Sequence, residues 1–213
     1  MISIVFGAIG SGKSTFLTYC AYRALHHKPV VVDKRQLTVR NYDKIYSNFY
    51  LKDCYKLDFD KLGVEDFHDC LILVDEITCF ADSRDFKNFN SNLKFFFSQH
   101  RKKNIDIIIA SQSYDDSDKR IRNLADSYYL ITPFLLDFIR VQRIAFSIFV
   151  KDGTISNFYS LSSPIRSKFI KSSKYWGLFD TKALITHDVL PPVSAEKWNI
   201  VQKNAKIAEK QVL

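Results

Sequence analysis

The chain has 213 residues, 46% hydrophobic and 15% aromatic, which supports one domain with a buried core and excludes a disordered chain. Its formal net charge of +8 is uneven, with nine Lys or Arg against four Asp or Glu from Ser160 to Leu213; a basic surface suits nucleic acid or an acidic membrane face, against the plain alternative of solvated charge. The four cysteines, Cys20, Cys54, Cys70 and Cys79, show no C-x-x-C spacing, so a reduced setting is expected, without zinc or a disulfide framework.

Ile2 to Phe6 is wholly apolar and rich in β-branched residues, which predicts a strand buried on both faces. It runs straight into Gly7-Ala8-Ile9-Gly10-Ser11-Gly12-Lys13-Ser14, so no signal peptide is expected. Ser14 to Leu25 has helical spacing, with Phe16, Leu17, Cys20 and Leu25 on a core face. Val30 to Asp33 reads as a second buried strand, and Asn41 to Leu51 as a third, at an edge. Cys70 to Val74 is a further buried strand, followed at once by Asp75 and Glu76.

A polar stretch, Asp82 to Asn92, leads to a helix through Leu93, Phe95, Phe96 and Phe97, and then to the basic cluster His100-Arg101-Lys102-Lys103. Ile105 to Ala110 reads as a strand ending at Ser111-Gln112, Asp116 to Ala125 as a short helix, and Ser127 to Thr132 as another strand. Strands alternating with helices predict an α/β fold with a mostly parallel central sheet and helices on both faces. Arg143 to Lys151 alternates and meets Thr154 to Leu161 through Asp152-Gly153, which predicts an antiparallel edge extension. Beyond Ser162 the pattern weakens into a Ser- and Lys-rich segment, an aromatic pair at Tyr175-Trp176, and a polar tail. The expected division is therefore a core over 1–161 and a basic C-terminal extension over 162–213, packed on the core or projecting from it. No window approaches the roughly 18 apolar residues of a membrane helix; the longest, Tyr128 to Phe138, is interrupted by Thr132, Pro133 and Asp137.

The glycine-rich loop has the Walker A form. Gly7, Gly10 and Gly12 let the backbone turn and point its N–H groups inward, Lys13 reaches β- and γ-phosphates, and the Ser14 hydroxyl binds magnesium. Ala8, Ile9, Ser11 and Thr15 complete the expected nucleotide-binding set. Leu71-Ile72-Leu73-Val74-Asp75-Glu76 has the Walker B form, with Asp75 as a metal ligand and Glu76 placed to polarise an attacking water, which points to hydrolysis rather than transfer. Gln112 ends a strand that faces the same crevice and is suited to report nucleotide state. Arg101, Arg120 and Arg122 fit three roles equally: an arginine finger on a neighbour's nucleotide, a DNA phosphate contact, or solvated charge. Arg166, Lys168, Lys171 and Lys174 are candidate DNA contacts, with solvated charge at least as strong an alternative.

Read in order, these motifs resemble the zonular occludens toxin (Zot) family, which includes the morphogenesis ATPases of filamentous phages. The resemblance rests on the Walker loop, Val74-Asp75-Glu76, the run His100 to Ile108, Ser111-Gln112 and Asp118 to Leu124. Tyr175-Trp176-Gly177-Leu178-Phe179-Asp180-Thr181 is similar to a segment that follows the ATPase core in such phage proteins.

Through that family the chain resembles the FtsK–HerA translocases, which include genome-packaging ATPases. The resemblance implies a RecA-like fold, ATP and Mg2+ as cofactors, Glu76 as catalytic base, Gln112 as polar sensor, and an arginine supplied by a neighbouring subunit. It implies a motor of phage assembly that packages DNA or extrudes virions. The partners would be further copies of itself in a ring, phage DNA, and other phage assembly or capsid proteins. Its place would be the host cytoplasm, the inner face of the cell membrane or a virion vertex. Filamentous-phage members usually carry a membrane span after this domain, which is not seen in this sequence. The rival readings are a small P-loop kinase and an assembly scaffold that nucleotide only stabilises.

Overall fold

The computed structural model describes residues 1–32, 35–38, 41–76, 91–113, 119–151, 154–161 and 167–179. Expectations at Cys79, Asp82–Asn90, Asp116–Asp118, Asp152-Gly153, Arg166 and the tail from Asp180 lie outside the described residues.

A nine-stranded sheet organises the chain. Six of its strands are mutually parallel: β1 (Ile2–Phe6), β4 (Lys44–Ser47), β5 (Tyr55–Lys56), β6 (Cys70–Val74), β7 (Asp106–Ser111) and β8 (Ser127–Phe134). β9 (Phe138–Lys151), β10 (Thr154–Leu161) and β11 (Lys168–Lys171) continue it antiparallel, giving the order β10-β9-β8-β1-β7-β6-β4-β5 with β11 also on β9. The phosphate-loop strand β1 is central, and β7 separates it from β6, the strand that ends at Asp75. This is a RecA-like α/β arrangement, with the expected antiparallel extension at one side.

β1, β6 and β7 are buried at every residue because helices cover both sheet faces. Alternate residues feed two cores. Val5, Leu71, Leu73, Ile108 and Ala110 meet Phe16, Leu17 and Cys20 of helix α1 (Lys13–Leu25) on one face, while Leu25, expected on that face, is exposed at the helix end. Ile4, Ile72, Val74, Ile107 and Ile109 meet Phe96 and Phe97 of α2 (Ser91–Gln99) and Ile121 of α3 (Lys119–Leu124) on the other.

Two expectations are corrected, and the expected Val30 strand is present but lies outside the main sheet. The Val30 strand, β2 (Val30–Val32), pairs antiparallel with β3 (Arg35–Thr38) in a separate two-stranded sheet. Periodicity identifies a buried strand but not its partner; the place beside β6 belongs to β4, whose Ile45, Tyr46 and Ser47 are buried. β4 is not the edge, since β5 lies outside it. The antiparallel extension starts earlier than Arg143: β8 runs on to Phe134, turns through Leu135-Leu136-Asp137, and returns as β9 from Phe138. Pro133 is tolerated because β8 has passed its last β1 partner, Leu130 opposite Phe6, and needs no N–H on that side.

The segment after Ser167 joins this core. β11 pairs with β9, Tyr175 is buried edge-on to Tyr19 and Tyr22, and Phe179 bridges to Leu51.

Candidate nucleotide site at the carboxyl ends of the strands

In a parallel sheet the strand ends open a crevice where loops and helix N-termini converge. β1 ends at Phe6, and the loop to Lys13 turns over its end. Gly12 has φ +96, and a Cβ there would come within 2.5 Å of Ile139 Cγ2, so only glycine lets β9 pack against the loop. Gly7 is equally constrained, because a Cβ would meet Ser11 Oγ at 2.3 Å and the Ile131 carbonyl at 2.8 Å. The loop is thus wedged between α1 and the β8–β9 hairpin.

No side chain caps the N-terminus of α1, so its first N–H groups remain for an anion. Lys13 is buried, and its Nζ donates to the carbonyls of Gly7 at 2.8 Å and Ala8 at 3.1 Å. The ammonium is folded back onto the concave side of its own loop. Ser11 is buried with its hydroxyl unpartnered, which leaves polar capacity inside the cradle for a ligand's oxygen. Ser14 Oγ donates to Asp75 Oδ2 at 2.5 Å, so two oxygens of the kinds that bind magnesium meet across the crevice. Burial pushes the Asp75 carboxyl above its ordinary range; the Ser14 hydroxyl and Lys13 oppose that shift, and Glu76 adds to it.

Glu76 leaves β6 in the left-handed region, φ +52, unusual for a residue with a side chain. Gln112, just past the end of β7, donates Nε2 to both Glu76 carboxylate oxygens at 3.2 and 3.1 Å. Ser111 holds the following turn through a hydroxyl bond to the Ser113 carbonyl. The sensor and base candidates are therefore joined directly. Lys13, Ser14, Asp75, Glu76 and Gln112 come from three strand ends into one crevice; Ile9 stands 82% exposed at the loop's tip and Thr15 is buried in α1.

The arginines are elsewhere. Arg101 is ion-paired with Asp126 at the amino edge of the sheet, opposite the crevice, where Asp126 also accepts from Ile2 N. Arg120 and Arg122 lie on α3, and the Arg122 carbonyl accepts from Tyr128 Oη. Lys168 and Lys171 flank Phe169 on β11, and Lys174 Nζ sits over the rings of Tyr22 and Tyr175.

Asn48 was not among the expected site residues. Its amide clamps Asp75 from both sides: Nδ2 donates to the Asp75 carbonyl and Oδ1 accepts from Asp75 N, each at 2.7 Å. The side chain continues the β4–β6 ladder one step past its end, holding the Walker B residue while β4 turns away. The sequence carries no signal for it, since Asn48 falls inside the expected strand Asn41 to Leu51 and becomes a strand-end residue only because β4 stops at Ser47.

Asp43, His68 and Asp69 also gather within metal-ligand range, at the exposed amino edge of β4 and β6. They lie at the opposite end of the sheet from the crevice.

The family model described as zonular occludens toxin (Zot) matches residues 1–132. No curated protein matches the chain. The fold is similar to the N-terminal domain of zonular occludens toxin from Neisseria meningitidis, at 16% identity over 84% of this chain and 98% of that one, with a TM-score of 0.48. It is similar to the genome packaging NTPase B204 of Sulfolobus turreted icosahedral virus 2, at 11% identity over 73% of this chain and 94% of that one, TM-score 0.46. A third likeness is to the flagellar accessory protein FlaH of Methanocaldococcus jannaschii, at 15% identity over 80% and 84%, TM-score 0.40.

Proposed function

The chain belongs to the zonular occludens toxin family, and from that premise we propose that it is a magnesium-dependent ATPase working as an oligomer on phage DNA during virion assembly. One observation supports this reading above the others: a phosphate cradle, a Ser14–Asp75 pair and a Glu76–Gln112 pair face a single crevice.

The chemistry follows from charge and position. Bound magnesium would be held by Ser14 Oγ and, through water, by Asp75, and would neutralise charge on the β- and γ-phosphates. Lys13 exchanges its two loop carbonyls for phosphate oxygens, an exchange favoured because the new partners are anionic. Glu76 accepts a proton from the attacking water at a carboxylate oxygen. Gln112 holds that carboxylate when no γ-phosphate is present and releases it when its amide turns to the phosphate. Occupancy at the end of β6 thereby becomes a displacement at the end of β7. An arginine of a neighbouring subunit completes the site in trans. The proposed place of work is the host cytoplasm, against a membrane face or a virion vertex.

The test is the ATPase rate against protein concentration, with and without single- and double-stranded DNA. A turnover per subunit that rises with concentration and with DNA supports the motor. Turnover indifferent to both defeats it. ADP release that requires a small-molecule acceptor would identify a kinase instead. Retention of assembly function by Glu76→Gln would identify a scaffold.

A further inference from the structure

The β8–β9 hairpin has a surface that nucleotide hydrolysis does not use. Past the last β1 partner, Ile131 to Phe134 and their β9 partners project beyond the sheet and close through Leu135-Leu136-Asp137. Leu135 is 73% exposed and Leu136 101% exposed, the latter with φ +57. Two adjacent, largely exposed leucines are unfavourable, and an apolar residue in the left-handed region adds backbone strain.

Behind this tip stand Phe134, Phe138 and Phe169, each exposed, with the Phe134 and Phe169 rings 4.6 Å apart. Strand register places Arg140 and Lys171 on the same face as these rings, opposite Thr132 and Phe138 respectively. The cations that β9 and β11 carry near the tip are Arg140, Lys168 and Lys171, against two Asp in the sequence from Thr132 to Lys174. One of those acids, Asp137, is tied down: its carboxylate accepts from Ser173 N and its carbonyl from Ser172 N.

We propose that this hairpin is a peripheral membrane anchor, in which Leu135 and Leu136 enter an anionic lipid surface, Phe134, Phe138 and Phe169 settle at the headgroup level, and Arg140 and Lys171 meet lipid phosphates. An apolar tip with Lys171 and the half-buried Arg140, whose Nε donates to Thr132 Oγ1, on one adjoining face matches an anionic interface in charge. Single-stranded DNA would explain the aromatic–cation pairing but not the leucines, which offer no face for base stacking. A protein partner would need a broader or concave face than a convex three-residue turn provides, since stable interfaces cover about 800 Å² per partner. Among the described residues no helix is long and apolar enough to cross a membrane, so this contact would be an interfacial one. The inference goes beyond the motor reading and stands independently of it.

The test is flotation of the full chain with vesicles of phosphatidylcholine alone and of phosphatidylcholine mixed equally with phosphatidylglycerol. The wild type should float with the anionic vesicles and lose that binding in high salt. Leu135→Ser with Leu136→Ser should weaken partitioning by about tenfold or more. Lys171→Glu should weaken it about fivefold or more. In Leu136→Trp, added anionic vesicles should shift tryptophan emission to the blue relative to the wild type, a readout that needs no loss of binding. The proposal falls if the wild type does not float, if the double serine variant floats like the wild type, or if the emission of the Leu136→Trp variant stays unmoved. It also falls if the serine variant changes only the sedimenting mass or only the retention of single-stranded DNA, which would assign the tip to a second copy or to nucleic acid.

Discussion

The two halves of the sheet obey different rules. In the parallel half, β1, β6 and β7 are buried at every position, and the polar residues of the crevice follow their carboxyl ends. On the antiparallel side, β8 alternates buried with half-buried residues and ends exposed at Pro133 and Phe134, β11 buries only Ile170, and the β8–β9 hairpin turns through two exposed leucines. Burial on both faces makes the parallel half a close-packed seat for the side chains at its strand ends. The open half offers surface. Chemistry needs the first and attachment needs the second, and here the two meet at Gly12, against Ile139.

That division breaks most sharply at Glu76. Replacing it with Gln should lower ATP turnover by roughly 10² to 10⁴, with nucleotide binding and vesicle flotation intact. A variant that loses all three together would mean the halves are not separable. Next is Asn48→Ala, which leaves the buried N–H and carbonyl of Asp75 without their side-chain partner. Stability should fall by about 1 to 3 kcal/mol in denaturant melts, and kcat should fall more than KM changes. Stability loss with unchanged kcat would reduce Asn48 to a structural residue.

Third is the alkaline limb of stability. Burial holds the Cys70 thiol up to about 12 against an ordinary value of 9.0. The unfolded chain therefore loses this proton first as pH rises, so folding stability is lost between those two values. The slope is about 1.4 kcal/mol per pH unit for one thiol. Cys20 is shifted in the same direction, so Cys70→Ala should make the alkaline fall in stability shallower without abolishing it; an unchanged slope would contradict the burial of Cys70. The smallest effect belongs to the tip. Leu136→Ser should change melting stability by no more than about 0.5 kcal/mol, since the side chain touches solvent. A large loss would show that the leucine packs and would bring the hairpin under the rules of the other half.

Much of the parallel half was legible because its signals are local. An apolar β-branched run before a glycine-rich loop, or four apolar residues before Asp75-Glu76, carries its meaning within a few positions. The signals of the antiparallel side are weaker and less local. β11 was missed because Lys168-Phe169-Ile170-Lys171 buries only Ile170, too weak a pattern for a strand. The hairpin at Leu135-Leu136 lacks the Asn-Gly or Asp-Gly that announces a turn.

The sequence by itself determined the phosphate loop, the acidic pair after β6, the glutamine after β7 and the α/β alternation that sets a parallel sheet, since each depends on spacing within one element and its neighbour. Only the tertiary structure decided which of these touch. It joined Gln112 to Glu76 and Ser14 to Asp75, brought Asn48 onto the Asp75 backbone, left Arg101 at the far edge, and sent β2 out of the main sheet. Those outcomes depend on which strands become neighbours, and strand order is settled by the packing of whole faces rather than by any local pattern.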